Sequence, residues 1–281
     1  MESSGAGYPT IREAWLHEGH CSIERPRFPY PGDWMKITLL GTGDAIGTPK
    51  IGCKCPACMD ALRGGRSRRM RFSVLIESDE EDGRVLVDSS PDLRWQLLKK
   101  DIASVDGVIW THAHYDHYAG FGDFHRVQSH VDVYALKETM DYILNYLYFL
   151  SPVRHDVEAY QPFEIAGMQF TLLPVNHPPL ETVGVRIDDG KKVVVITSDT
   201  KMEIPEKSLE LMKGADLMLA DAITPPGYTI SKHMTADEAM LLGEKLEAKR
   251  LLLTHCSHLY PPHEIALKKW PLGHDMMEIV L

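Results

Sequence analysis

The segment Thr111-His112-Ala113-His114-Tyr115-Asp116-His117 directly follows an apolar run, Val105–Trp110, that has the composition of a β-strand. Side chains that follow the end of a strand are free to converge on one point instead of alternating between faces. Neutral imidazole and carboxylate together suit Zn, Mn or Fe. The alternative is a histidine-rich surface turn, but three imidazoles and a carboxylate within six residues favour a metal site.

Composition narrows the class of protein. The chain has 281 residues, and its 40 acidic and 30 basic side chains give a formal net charge of −10. A large nucleic-acid footprint normally shows as a basic face, so we do not expect a nucleic-acid partner. Five arginines lie between Arg63 and Arg71, either in a solvated loop or in a phosphate-binding one. No run of eighteen apolar residues and no signal peptide are present, so we expect a cytoplasmic protein without membrane contact.

The order of apolar runs predicts the architecture. Residues 1–34 are rich in Pro and Gly and are predicted to form an extended arm, followed by a catalytic domain over residues 35–281. Two successive blocks of predicted strands each end in helices, for example the predicted helices 120–128 and 138–150. This order indicates an α/β fold with two packed sheets and helices outside, a four-layer αβ/βα sandwich. Thr235 and Glu238 are spaced as the capping box of a later helix.

Three more candidate metal ligands follow later strands. His177 comes after the run 170–175, Asp199 after 193–196, and His255 after 251–253. One such residue is usually a turn former or a helix cap. Three in the same position relative to their strands as His112 predict further ligands of one site.

A second cluster contains thiols. Cys53, Cys55 and Cys58 lie within six residues, in a chain whose cysteine count of five is odd. In an intracellular chain this pattern predicts metal ligands and not disulfides. His258 is the best fourth ligand of a closed, structural Zn site, with Cys256, or no metal at all, as the alternatives.

This order of motifs resembles that of the metallo-β-lactamase fold superfamily, and the resemblance covers roughly residues 35–281. The matching segments are Thr111–His117, His177, Ser198–Thr200 and Thr254–His255. The resemblance implies the sandwich fold and a pair of divalent ions, Zn or Mn. It implies that His112, His114 and His177 hold one ion, that Asp116, His117 and His255 hold the second, and that Asp199 bridges both. Such a pair, about 3.5–4 Å apart, shares a hydroxide that attacks the substrate.

The combination of Gly52-Cys53-Lys54-Cys55 with Thr254–His258 is similar to the branch of the superfamily that contains PhnP-like cyclic ribose-phosphate phosphodiesterases and PqqB-like proteins. Within that branch and in ribonuclease Z-like enzymes, a histidine at the place of His233 lies beside the scissile phosphate. By that likeness His233 assists the departing oxygen; otherwise it is a helix-capping or surface residue. Asp88 and Asp221 each close a strand and either orient ligand imidazoles or form turns.

The sequence therefore predicts a dinuclear metal-dependent phosphodiesterase for a small substrate, such as a cyclic ribose phosphate or a nucleotide, with Asp116 and His233 as catalytic residues. The alternatives are tRNA 3′-processing of the ribonuclease Z kind, hydrolysis of an ester, thioester or lactam, and an accessory role like that of PqqB. A homodimer is the expectation for this class of enzyme.

Overall fold

The computed structural model describes residues 34–79, 83–228 and 230–281. The predicted arm, residues 1–34, lies outside this part of the chain except for Trp34. The division into an arm and a catalytic domain therefore stays a prediction. None of the helices in the described ranges is long and apolar enough to cross a bilayer.

Two mixed sheets form the centre of the described part. In the spatial order β13-β1-β2-β3-β4-β5-β6, the first sheet contains β1 Met35–Gly41, β2 Ser73–Ser78, β3 Arg84–Val87, β4 Gly107–Ile109, β5 Asp132–Ala135, β6 Val153–Asp156 and β13 Met277–Val280. In the order β12-β11-β10-β9-β8-β7, the second contains β7 Pro162–Ile165, β8 Met168–Pro174, β9 Val183–Asp188, β10 Val193–Ile196, β11 Leu217–Asp221 and β12 Leu251–Thr254.

Helices lie between these strands along the chain. They are α1 Pro56–Leu62, α2 Leu93–Lys100, α3 Tyr115–Tyr118, α4 Phe121–Phe124, α5 Lys137–Tyr146, α6 Glu206–Met212, α7 Ala236–Lys245 and α8 His263–Ala266. The predicted capping box of α7 is confirmed, because Thr235 accepts from the Glu238 amide and the Glu238 carboxylate accepts from the Thr235 amide.

Three buried apolar clusters separate four layers. The central cluster joins the inner faces of the sheets, with Ile37 and Val74 from the first and Phe170 and Leu219 from the second. A second cluster packs α2, α4 and α5 on the outer face of the first sheet. A third packs α6, α7 and α8 on the outer face of the second sheet. Burying both faces of each sheet gives the four-layer αβ/βα sandwich predicted from the sequence.

The predicted helix 120–128 is wrong in extent, because α-helix is confined to Phe121–Phe124. The amides of Arg126 and Val127 bond the carbonyls three residues earlier, so the chain continues as turns. The predicted helix 138–150 ends at Tyr146, where Leu147 leaves helical geometry at φ −94° and ψ 37°. The strand β6 and the helix α1, which begins at Pro56 inside the cysteine cluster, are absent from the sequence prediction.

Parallel pairing positions the functional residues. β3 pairs in parallel with β4, and β10 with β11 and β11 with β12. The carboxyl ends of these strands meet at one edge of the sandwich, where ligand sites of open α/β sheets lie.

Candidate metal centre

The candidate ligands follow the strand ends in sharp turns. Asp88 closes β3 with φ +60°, Ser198 follows β10 with φ +54°, and His255 follows β12 with φ +55°. This left-handed backbone is uncommon for residues with a side chain and costs about 1–3 kcal/mol where the rest of the fold enforces it. Such strain concentrates at functional sites, and here it turns the chain at three of the strand ends that carry site residues.

The first ligand group contains His112, His114, His177 and Asp199. Nδ1 of His114 lies 3.0 Å from Nε2 of His112 and 3.1 Å from Nε2 of His177. Oδ2 of Asp199 lies 3.6 Å from Nε2 of His112 and 3.9 Å from Nε2 of His177. The group therefore presents four ligand atoms to one point.

The second group contains Asp116, His117 and His255. Nε2 of His117 lies 3.3 Å from Oδ2 of Asp116, and Nε2 of His255 lies 3.6 Å from the same oxygen. Asp199 touches this group as well, with Oδ2 at 3.4 Å from His117 Nε2 and Oδ1 at 3.4 Å from His255 Nε2. Asp199 thus lies between the two groups, as a bridging carboxylate requires.

Hydrogen bonds on the far side of three rings fix which nitrogen faces the centre. Nδ1 of His117 donates to Oδ2 of Asp88 at 2.7 Å, and Nδ1 of His177 donates to the carbonyl of Lys232 at 2.9 Å. Nδ1 of His112 lies 3.0 Å from Oγ1 of Thr111, which itself donates to Asp88. Each of these bonds leaves Nε2 directed at the centre, the usual arrangement around metal-binding histidines.

The residues fit a pair of cations. Nε2 of His117 and both ring nitrogens of His255 are buried without a hydrogen-bond partner. Unpaired buried polar atoms are costly in a native structure unless a bound ion or water satisfies them. Burial raises the pKa of Asp199, but His255 and His117 outweigh it and hold the pKa well below its ordinary value, so the carboxylate is ionised. Neutral imidazoles and ionised carboxylates are the ligand set of Zn²⁺ or Mn²⁺.

His233 lies at the rim of both groups. Its Nδ1 donates to Oδ2 of Asp221 at 2.8 Å, and its ring stacks on His255 with centroids 5.1 Å apart. The ring is also 4.7 Å from that of His177. Asp221 lies 3.6 Å from Nδ1 of His255 through its other oxygen, so it contacts one ligand imidazole and His233 at once. Asp88 and Asp221 therefore lie where carboxylates that orient site imidazoles would lie.

The cysteine cluster forms a separate group with His258. Nδ1 of His258 lies 3.6 Å from Sγ of Cys53 and 3.5 Å from Sγ of Cys55, and Cys58 completes the group. Ligands about 2.3 Å from a tetrahedral Zn²⁺ are separated by roughly 3.5–4 Å, so these spacings suit one ion. The alternative ligand Cys256 lies outside this group, and its buried thiol donates to the Thr254 carbonyl.

The arginine cluster contributes to structure at three of its positions. Arg69 is buried and donates to Thr42 Oγ1 at 2.7 Å and to the Gly273 carbonyl at 2.8 Å. Arg71 pairs with Asp92 at 3.1 Å, and Arg66 with Glu264 at 3.3 Å on the surface. Arg69 and Arg71 therefore anchor the chain that leads into β2.

Three positions that contact the candidate ligands are not apparent from the sequence. The ring of Phe72 packs against two candidate ligands, with its centroid 5.9 Å from that of His117 and 6.5 Å from that of His255. The Lys232 carbonyl orients His177, and a backbone atom leaves no signal in a sequence. Asp44 is buried beside His255, which opposes the rise that burial causes in the Asp44 pKa. Its place after the Gly41-Thr42-Gly43 strand end was the available signal.

Comparison with known proteins agrees with this geometry. The Beta-lactamase superfamily domain matches residues 83–256, which include all seven candidate ligands of the paired centre. The chain belongs to this superfamily. The predictions of a metallo-β-lactamase fold and of a metal-dependent hydrolase are thereby confirmed.

Particular relatives sharpen the comparison. A crystal structure of a diphosphatase from the PhnP family is 31% identical, with a TM-score of 0.79, and the match covers 88% of this chain and 97% of that one. Zn²⁺-bound PqqB from Methylobacterium extorquens shares the fold, with a TM-score of 0.73 at 20% identity over 87% of this chain and 99% of PqqB. An octanoyltransferase of Porphyromonas gingivalis is 29% identical over 88% of this chain. The match covers 52% of that relative, so the chain spans about half of its length.

Proposed function

We propose that this protein is a dinuclear metal-dependent phosphodiesterase for small substrates, of the cyclic ribose phosphate or nucleotide class. The observation that carries the proposal is the position of His233. The carboxylate of Asp221 accepts a hydrogen bond of 2.8 Å from Nδ1 of His233. The His233 ring stacks on His255 of the second ligand group and contacts the ring of His177 of the first. An imidazole that is additional to the seven candidate ligands therefore lies beside both ligand groups.

Two divalent ions, when bound, supply an activated water and neutralise negative charge on a phosphate. The side chains of His233 and Asp221 then supply the proton that the leaving oxygen needs. Asp221 accepts from Nδ1 of His233 and favours the imidazolium form, which leaves Nε2–H to donate. The water gives one proton to solvent, and as the bond from its oxygen to phosphorus forms, the bond from phosphorus to the leaving oxygen breaks and the Nε2 proton passes to that leaving oxygen. Asp221 then stabilises the orientation of the neutral ring until solvent returns a proton to Nε2.

A phosphodiester suits this arrangement better than a carboxylic ester or thioester. A phosphodiester carries one negative charge before reaction, and further negative charge develops on its oxygens as the leaving oxygen departs, so a cationic donor beside the two ligand groups matches it. The likeness to a PhnP-family diphosphatase at 31% identity supports reaction at phosphorus. The same groups would serve a diphosphate bond, in which the leaving oxygen belongs to a second phosphate.

The test is a substrate panel for protein loaded with Zn²⁺ or Mn²⁺. It contains bis(p-nitrophenyl) phosphate, a nucleoside 2′,3′-cyclic phosphate, a dinucleotide diphosphate, p-nitrophenyl acetate and an acyl thioester. We expect turnover of phosphate diesters that Asp116→Ala abolishes. The control is His155→Ala, which breaks a comparable aspartate–histidine pair, 2.6 Å to Asp132, on the distant strand β6. Turnover of the acetate or thioester without any phosphate diester, in protein that holds both metals, would show the proposal to be wrong.

A further inference from the structure

A small cavity adjoins both the cysteine cluster and the turn that carries His255 and His258. Ala57, two residues after Cys55, and Ser257, two residues after His255, both line it. None of the candidate metal ligands is part of the lining, so the cavity is distinct from both metal sites. Its other polar side chains include Thr48, Ser67, Arg69 and His263.

Arg69 is a buried cation in this lining, with only 5% of its surface exposed. Its guanidinium donates to the hydroxyl of Thr42 at 2.7 Å, to the carbonyl of Gly273 at 2.8 Å and to Nδ1 of His263 at 3.2 Å. Burial and the neighbouring guanidinium lower the pKa of His263 to about 4, so its ring is neutral at pH 7. The carboxylate of Asp275 is linked to Arg69 through the hydroxyl of Thr42. Arg69 therefore donates only to uncharged groups among the described residues, and a buried charge is costly without a counter-ion.

Two polar atoms of the lining residues are buried without a hydrogen-bond partner. They are Oγ1 of Thr48, a residue that is 4% exposed, and Nε2 of His263, which is 1% exposed. Because Nδ1 of His263 accepts from Arg69, Nε2 carries the ring proton and is a donor without an acceptor. No acidic side chain belongs to the lining, since Asp60 accepts from the amide of Ser67 but lies outside it. Such unpaired buried groups indicate a bound ion or water.

We propose that this cavity binds a chloride ion. The guanidinium of Arg69, Nε2–H of His263 and the hydroxyl of Thr48 are a positive charge and donors that a monovalent anion satisfies together. The room for the centre of a water-sized occupant is about 10 Å³, which suits a single atom and excludes phosphate or sulfate. A water molecule would accept from the same donors and leave the charge of Arg69 without a direct counter-ion. The proposal does not depend on the reaction at the paired metal centre.

The ion joins segments that are distant in the sequence. Thr48 and Arg69 exchange backbone hydrogen bonds of 2.9 and 2.8 Å, and Ser67 accepts from the amide of His263 at 2.9 Å. Ser257 brings the turn between the ligands His255 and His258 to the same cavity. An ion that binds the folded protein and not the unfolded chain raises the melting temperature as its concentration increases. Chloride should therefore stabilise the fold.

The first experiment measures the melting temperature of metal-loaded protein while millimolar chloride replaces gluconate, an anion too large for the cavity, at constant ionic strength. We expect the melting temperature to rise with chloride. Thr48→Val keeps the shape of the side chain and removes the unpaired hydroxyl. It should weaken chloride binding, derived from this rise, about ten-fold, as expected for one hydrogen bond to a charged group. The control is Thr38→Val, which removes another buried hydroxyl without a partner, in β1 and outside the lining. It should respond to chloride as the wild-type protein does.

The second experiment locates the ion in crystals of the same protein grown in bromide, which scatters anomalously, at a concentration close to the dissociation constant. We expect an anomalous peak in the cavity of the wild-type protein that is clearly weaker in Thr48→Val. A water in the cavity and no effect of chloride on the melting temperature overturn the proposal. An equal effect of chloride on Thr48→Val and the wild-type protein overturns it as well, because the ion then binds elsewhere. A bromide peak without any effect of chloride in solution shows an adventitious ion only and has the same consequence.

Discussion

Nδ1 of His117 donates a hydrogen bond of 2.7 Å to Oδ2 of Asp88, a residue buried in the turn that closes β3. Asp88 also accepts from the amide and the hydroxyl of Thr111, so it couples the start of the histidine motif to its last ligand. We predict that Asp88→Asn lowers metal affinity about 10–100-fold, the usual effect of removing a carboxylate behind a ligand imidazole. Asparagine tolerates the φ of +60° at this position, so the backbone is preserved.

Metal affinity for this comparison is measured by competition with a chelator, and the melting temperature of the metal-free proteins reports on folding. Asp132→Asn is the matched control, since it alters the carboxylate behind His155 and not behind a candidate ligand. Equal metal affinity in Asp88→Asn and the wild-type protein would remove the orienting role of Asp88.

The cysteine group should bind a zinc ion of its own. We predict that Cys55→Ser releases one zinc per chain and lowers the free energy of unfolding, because Cys55 contacts His258 and caps α1 through its side chain. Burial raises the pKa of the Cys58 thiol to about 12, so a thiolate there needs a bound cation. Zinc content is measured by elemental analysis, with Cys256→Ser as the control cysteine outside the group. Unchanged zinc in Cys55→Ser would contradict the site.

Asp275 should make stability depend on pH. Burial raises its pKa from 3.8 to about 6, although the amide of Met70 and the hydroxyl of Thr42 donate to it. A carboxyl whose pKa is higher in the folded state binds its proton more tightly there, so its contribution is greatest below about pH 4 and is lost as the pH rises through 6. At neutral pH the loss amounts to roughly 3 kcal/mol.

This prediction is checked by urea unfolding of the wild-type protein and Asp275→Asn between pH 4.5 and 7. The free energy of unfolding of the wild-type protein, relative to the variant, should fall as the pH rises, because only the wild-type protein titrates at this position. A difference that stays constant across this range would show that the pKa of Asp275 is close to 3.8 when folded.

Much of the site was predictable because its residues are polar and stand where strands stop. The motif Thr111–His117, with His177, Asp199 and His255, combines ligand chemistry with position, and each strand before them is an apolar run of ordinary length. His258 was predictable as well, because it lies only three residues after His255 and so close to the end of the same strand. The four-layer sandwich followed from two blocks of such strands.

Other features depend on contacts between distant parts of the chain. Phe72 looks like any other buried strand residue until the fold places His117 and His255 over it. The strand β6 is exposed and charged along Val153–Asp156, so no apolar pattern reveals it, and it exists through pairing with β5. The cavity beside Arg69 is assembled from segments that lie up to 215 residues apart, Thr48 to His263. No local propensity encodes such a juxtaposition.

The measurement that tests the central claim most directly is the metal content and kcat of His233→Ala, determined on the same sample with a nucleoside 2′,3′-cyclic phosphate, whose leaving group is an alkoxide that needs a proton. A nitrogen of His233 lies within 4.8 Å of ligand atoms of Asp199 and His255, so a role as ligand and a role as proton donor are both geometrically open. We predict that the variant keeps both ions of the paired centre and loses about 10²–10⁴-fold in kcat, as expected for removal of a general acid. His155→Ala should match the wild-type protein in both quantities. Loss of an ion from His233→Ala, or a kcat equal to that of the wild-type protein, would contradict the account.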